Sequence, residues 1–138
     1  MVGSHLLKAY SRTQSNIALS SGEAEFYALV AAGSEALGAV AMTEDLGDKL
    51  EAYLYADASA AIGVANREGL GRIRHLDTQS LWLQQAIRQK RLGVGKVAGT
   101  ENPSDLMTKH VDAKTLEGHV KSMGCDFVAG RAELAPQA

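Results

Sequence analysis

An α/β fold is the class this sequence predicts. Segments with apolar residues at helical spacing alternate with two short apolar runs, EAYLYA at Glu51–Ala56 and LGVGKV at Leu92–Val97, which suit buried strands. Asp57 stands where the first of those runs hands over to a helix, and an open α/β sheet places its functional groups beyond the carboxyl ends of its strands. The 138 residues are enough for one domain with a modest core and too few for two.

Taken in order, His5–Ser11 has some alternation, with Leu6, Leu7 and Tyr10 to bury, and reads as a strand. Thr13–Asn16 is a polar turn. Ser20 is then an N-cap, and Glu23 three residues later completes a capping box, in which each side chain satisfies a backbone N–H of the first turn. Phe26, Leu29, Val30, Gly33, Leu37, Val40 and Ala41 recur at helical spacing and define the buried face. The helix runs towards Leu46 and stops at Gly47, with Gly33 and Gly38 as places for a bend. Glu25 lies at the edge of the buried face. Read from this helix alone it is better explained as a surface acid, because carboxylates favour first turns for dipole reasons.

Glu51–Ala56 is the next strand, ending at Asp57, and a short helix spans Ser59–Asn66. Asp57 suits a functional carboxylate and a helix N-cap about equally. Gly69–Arg74 is a basic, glycine-containing connection. His75–Lys90 is a second long helix, with Trp82 in its apolar stripe as core rather than as a base-stacking platform. Leu92–Val97 is a strand, and Gly99–Pro103 turns the chain. Pro103, at a first helical position, opens a short helix that carries Asp105. The last helix, Ala113–Met123, is capped by Asp112 and stopped by Gly124. The expected domain is 1–126, with 127–138 an Ala-rich flexible tail.

A net charge of −2 and a pI near 6.1 exclude bulk electrostatic attraction to nucleic acid, so such binding would need a local patch. Two basic clusters qualify: Arg67, Arg72, Arg74 and His75, then Arg88, Lys90, Arg91 and Lys96. Either one alone is better read as solvated surface charge. Cys125 is the lone cysteine, and the four histidines have no zinc-ligand spacing, which argues against a disulfide and a structural zinc. No apolar run in the sequence reads as a membrane span, and the N-terminus has no signal-peptide pattern. An intracellular location with no membrane partner is the expectation.

The runs YSRTQSNIALSSGEAEFYALV, YADASAAIGVA, RHLDTQSLWLQQAI and VAGTENPSDLMTKH, in this order and spacing, resemble the ribonuclease H domain of copia-type retrotransposon polyproteins. The likeness covers residues 5–110. It implies a ribonuclease H-like mixed sheet with flanking helices, and hydrolysis of the RNA strand of RNA·DNA hybrids. The implied cofactor is Mg²⁺, for which Mn²⁺ can substitute. Carried over position by position, the resemblance makes Glu25, Asp57 and Asp105 both catalytic and metal-binding. Glu25-Phe26-Tyr27-Ala28 fits the family's Glu motif, which selects Glu25 over Glu23. Gln14, Ser20, Arg72, Arg74 and His75 are the implied nucleic-acid contacts.

The family's partners are the hybrid and the reverse transcriptase portion of the same polyprotein, in the cytoplasm, a virus-like particle or the nucleus. Its first two strands, with the Asp that bridges both ions, precede the segment matching His5–Ser11. The chain thus reads as an N-terminally truncated form with impaired cleavage, in which an unpaired sheet edge favours a homodimer with strand exchange over a monomer whose N-terminal strand moves inward beside Glu51–Ala56. The alternatives are a non-catalytic remnant that binds nucleic acid or self-assembles, and an unrelated small α/β interaction domain.

Overall fold

A computed structural model describes residues 1–69, 71 and 81–127. They form two compact units, one of Arg12–Asn102 and one combining Met1–Ser11 with the segment from Pro103 onward.

The larger unit is the α/β core. Helix α1 spans Ser21–Asp45, strand β1 Ala52–Ala56, helix α2 Ser59–Asn66, helix α3 Trp82–Arg88 and strand β2 Leu92–Lys96. The two strands pair in parallel, with Ala52 opposite Leu92 and Ala56 opposite Lys96. A parallel pair needs a long crossover, and the stretch holding α2 and α3 supplies it. The pleat sends Leu54 and Ala56 to the covered face, where they join Phe26, Leu29, Ala61, Val64, Leu83, Ala86 and Leu92 in one core. Tyr53 and Tyr55 point the other way and are exposed, their ring centroids 4.9 Å apart. The Tyr53 ring lies across Gly93 and Gly95, where a Cβ on either glycine would collide with it, and its hydroxyl donates to the Val94 carbonyl at 3.3 Å.

The start of α1 follows from Ser20, whose hydroxyl accepts from the Glu23 N–H at 3.2 Å. The reciprocal half of the capping box is shifted by one residue. The Glu23 carboxylate accepts from the N–H of Leu19, not that of Ser20, at 2.9 Å. The Tyr27 hydroxyl donates to the same carboxylate at 3.3 Å, and Glu23 is 1% exposed. Glu23 is therefore a buried, multiply bonded part of the helix start.

Gly33 has a packing role that periodicity did not separate from a bend. A Cβ there would stand 2.9 Å from Leu83 Cδ1 and 3.3 Å from Trp82, so glycine lets α3 approach α1 closely. Helix α1 is one continuous helix and ends in a Schellman motif. Gly47, at φ +90°, donates to Glu44 O, and Asp48 donates to Thr43 O. By length and composition α1 is also apolar enough to cross a membrane, with a window of mean hydropathy 1.4, which revises the sequence reading that no run qualified. Its first half forms part of the core just described, as a core helix does.

Helix α3 ends in the same hydrogen-bond pattern, Lys90 N–H to Ile87 O and Arg91 N–H to Ala86 O, but with Lys90 at φ +57° in the left-handed position. A side chain at such a φ costs roughly 1 kcal/mol that glycine avoids. Buried Gln84 on α3 donates to Val64 O at 2.8 Å and to Gly69 O at 3.1 Å, and it accepts from the Gly69 N–H. One amide thus ties down the chain leaving α2.

The smaller unit has no strand among its described residues, so the strand expected at His5–Ser11 does not form. Only an isolated bridge, Val2 with His5, is present. Leu7 is 60% exposed and Tyr10 39% exposed, against the burial expected of them. Alternation alone does not make a strand, because its backbone groups need a neighbouring strand to bond. A 3₁₀ turn over Pro103–Met107 and helix α4, Ala113–Ser122, complete the unit. Asp112 caps α4 as expected, accepting from the Thr115 N–H at 2.8 Å. That bond, first among its interactions, holds the Asp112 carboxyl below the usual carboxylate range. Gly124, at φ +70°, ends α4. The first six residues of the expected helix 75–90, and the tail from residue 128, lie outside the described residues.

Candidate functional site

Asp57 immediately follows β1, at the carboxyl end of a parallel strand. The capping alternative does not hold for it. The N-cap of α2 is Ala58, and no side chain caps that helix. Half-buried Asp57 makes no side-chain hydrogen bond or ion pair among the described residues, so its carboxylate has no structural duty there. Beside it, the Ser59 hydroxyl and the Lys96 ammonium lie 2.7 Å apart, joining the start of α2 to the last residue of β2. The sequence signal for this pair was faint: one serine after an acid, and one lysine ending an apolar run.

Glu25 lies in the first turns of α1, exposed, and likewise makes no side-chain bond among the described residues. The buried carboxylate of this helix is Glu23. The reason is geometric: Glu23, three residues before Phe26, lies within the face that α1 buries, while Glu25, one turn before Leu29, lies at the edge of that face and is exposed.

Asp105 belongs to the smaller unit, in the 3₁₀ turn. Its side chain is 17% exposed and accepts from the Lys109 ammonium on both oxygens, at 2.9 and 3.0 Å. The i,i+4 spacing of acid and lysine is the sequence signal for this pair. Within each unit, no three His, Cys, Asp or Glu side chains among the described residues are gathered closely enough to hold a metal ion.

The implied nucleic-acid contacts divide in two. Gln14 donates to Ala24 O at 2.7 Å and Ser20 caps α1, so both have local structural roles. Arg72, Arg74 and His75 lie outside the described residues.

Over 109 residues, 78% of the chain, the sequence is 31% identical to the retrovirus-related Pol polyprotein from transposon TNT 1-94 of Nicotiana tabacum. The chain spans about 8% of that polyprotein's length. No family model matches the chain. No solved structure matches it. The chain is homologous to a segment of a retrotransposon Pol polyprotein.

Proposed function

We propose, from that homology, that the chain is a ribonuclease H-type segment of a retrotransposon polyprotein, directed at the RNA strand of RNA·DNA hybrids. The observation that carries the reading is Asp57: an unpartnered carboxylate directly after a parallel strand, where a capping role was available and is not taken. Glu25, exposed and unbonded, supplies a second carboxylate in the same unit.

The donor chemistry fits a hard divalent cation, which takes few protein ligands, all oxygen. Glu25 and Asp57 of the larger unit would hold Mg²⁺ or Mn²⁺, with Asp105 added as a ligand by the resemblance alone, and such ions supply activation of water and neutralisation of charge at a phosphodiester. Asp105 must first exchange its contact with Lys109, an exposed ammonium whose pairing is individually weak. The chain's own contribution is to hold Asp57 on a rigid strand end. Lys96 and Ser59 stand beside it with a cation and a hydroxyl that suit a phosphate backbone.

Weak hybrid cleavage, or none, is expected of a site in which Asp105 is already paired with Lys109, with hybrid binding retained. The test is incubation with a labelled hybrid in Mg²⁺ or Mn²⁺, alongside cation titration by calorimetry. Vigorous cleavage abolished by Asp57→Asn would establish the activity and refute its impairment. Absence of both cation and hybrid binding would refute the assignment itself.

A second reading, a non-catalytic remnant that binds or assembles, is favoured by the Asp105–Lys109 pair, which already satisfies one carboxylate of the proposed set. Cation binding that is unchanged by Asp57→Asn would support that reading over the enzymatic one.

A further inference from the structure

The second half of α1 has the composition of a core helix without the burial. All its buried residues, Glu23, Phe26, Leu29 and Gly33, lie in the first half. Beyond Gly33 the helix continues for twelve residues, SEALGAVAMTED, none of them buried. Met42 is 59% exposed, and Leu46 just past the helix 77%.

Beside this half-helix lies an open groove of about 740 Å³ within the larger unit. Leu37 and Val40 of α1, Leu50 ahead of β1 and Ile87 of α3 line it, all only partly buried. An apolar surface of this kind, rimmed by charge, marks an interaction site.

The rim identifies the occupant. Glu44 and Glu51 come from the end of α1 and the approach to β1. Lys90 and Arg91 come from the turn between α3 and β2. All four are exposed, and none makes an ion pair among the described residues. Two acids and two bases sum to zero, so the rim matches neither a polyanion nor a surface of one sign. A surface with both signs can complement itself, and a twofold axis sets each residue i against j and each j against i.

We infer that this groove is a self-association face: two copies of the chain pack the second halves of their α1 helices together, with the acidic rim of each over the basic rim of the other. The contact differs from the strand exchange expected from sequence, because it uses the α1 groove and leaves strand pairing unchanged. It does not depend on the nuclease reading.

The test is sedimentation and light scattering of the 138-residue chain from low micromolar to submillimolar concentration. A reversible monomer–dimer equilibrium is expected. Glu44→Lys with Glu51→Lys makes the rim wholly basic, and Lys90→Glu with Arg91→Glu makes it wholly acidic. Each double variant alone should dissociate about tenfold or more readily than the wild type, because like charges then face each other. An equimolar mixture of the two should form a heterodimer tighter than either variant's own dimer. Circular dichroism checks that the variants keep the wild-type helix content. Should they fail to fold, hydrogen exchange of the wild type takes their place, with protection at 37–44 and 50–53 expected to rise with protein concentration.

A monomeric mass throughout the range would overturn the inference. So would a dimer indifferent to the rim charges, which would place the contact elsewhere, or a groove protected only when a different protein is added.

Discussion

The two halves of helix α1 share one helix and one apolar pattern, yet every buried residue lies in the first, and the second reaches the core only through partly buried Ala36 and Leu37. Residues 21–33 meet β1, α2 and α3, and Phe26 is fully buried. Residues 34–45 carry Leu37 and Val40 at the same helical spacing, but they face an open groove. The contrast teaches that an apolar stripe states a demand for burial, while the neighbouring elements decide whether the demand is met.

Truncating one apolar residue in each half is the largest test of that contrast. Phe26→Ala should cost about 3–5 kcal/mol in chemical denaturation. Leu37→Ala should cost less, about 1–2 kcal/mol in a dilute, monomeric sample, because its side chain is only partly buried against the core. Equal losses would show that the groove is closed in solution.

The paired acids sharpen the comparison within the first half. Glu23→Ala removes the acceptor for the Leu19 N–H and the Tyr27 hydroxyl, and should cost about 1–3 kcal/mol. Glu25→Ala should stay within about 0.5 kcal/mol of the wild type, as an exposed site without bonds does. A large loss at Glu25 would mean that it has a structural partner after all.

The two glycines give effects of opposite sign. Gly33→Val should destabilise by about 1–3 kcal/mol, since the added side chain meets Leu83 and Trp82. A Cβ on Gly38 would meet nothing within 4 Å, so Gly38→Ala should stabilise by roughly 0.5–1 kcal/mol through backbone entropy and helix propensity. Melting temperatures of the two variants, compared at one concentration, read both signs. A destabilising Gly38→Ala would show a neighbour packed against the second half of α1.

Local chemistry was the legible part of this chain. Ser20, Asp112 and the bounds of α2 follow from capping residues and short-range periodicity, and the structure places them as read. The two strands were legible as apolar runs bounded by turn residues, within one residue at their ends. The segment His5–Ser11 was not, because a strand is defined by its partner and alternation carries no information about whether one is present. The candidate site was legible as residue types at particular places. Asp57 at the end of a strand could be named from sequence, but only coordinates show that Ala58 takes the cap position and leaves the carboxylate unbonded. Asp105 could be named as well, while its engagement by Lys109 needed the geometry of the turn.

By itself, the sequence determined where α1 begins and where α2 and α4 lie, that two apolar strands alternate with helices, and that the chain shares ancestry with a retrotransposon Pol polyprotein. Those properties rest on interactions spanning a few residues, or on the order of residues itself. Tertiary structure alone decided that Gly33 admits α3 and that half of α1 borders an open groove. Burial is a property of what surrounds a residue, and the surroundings come from elements distant in the chain.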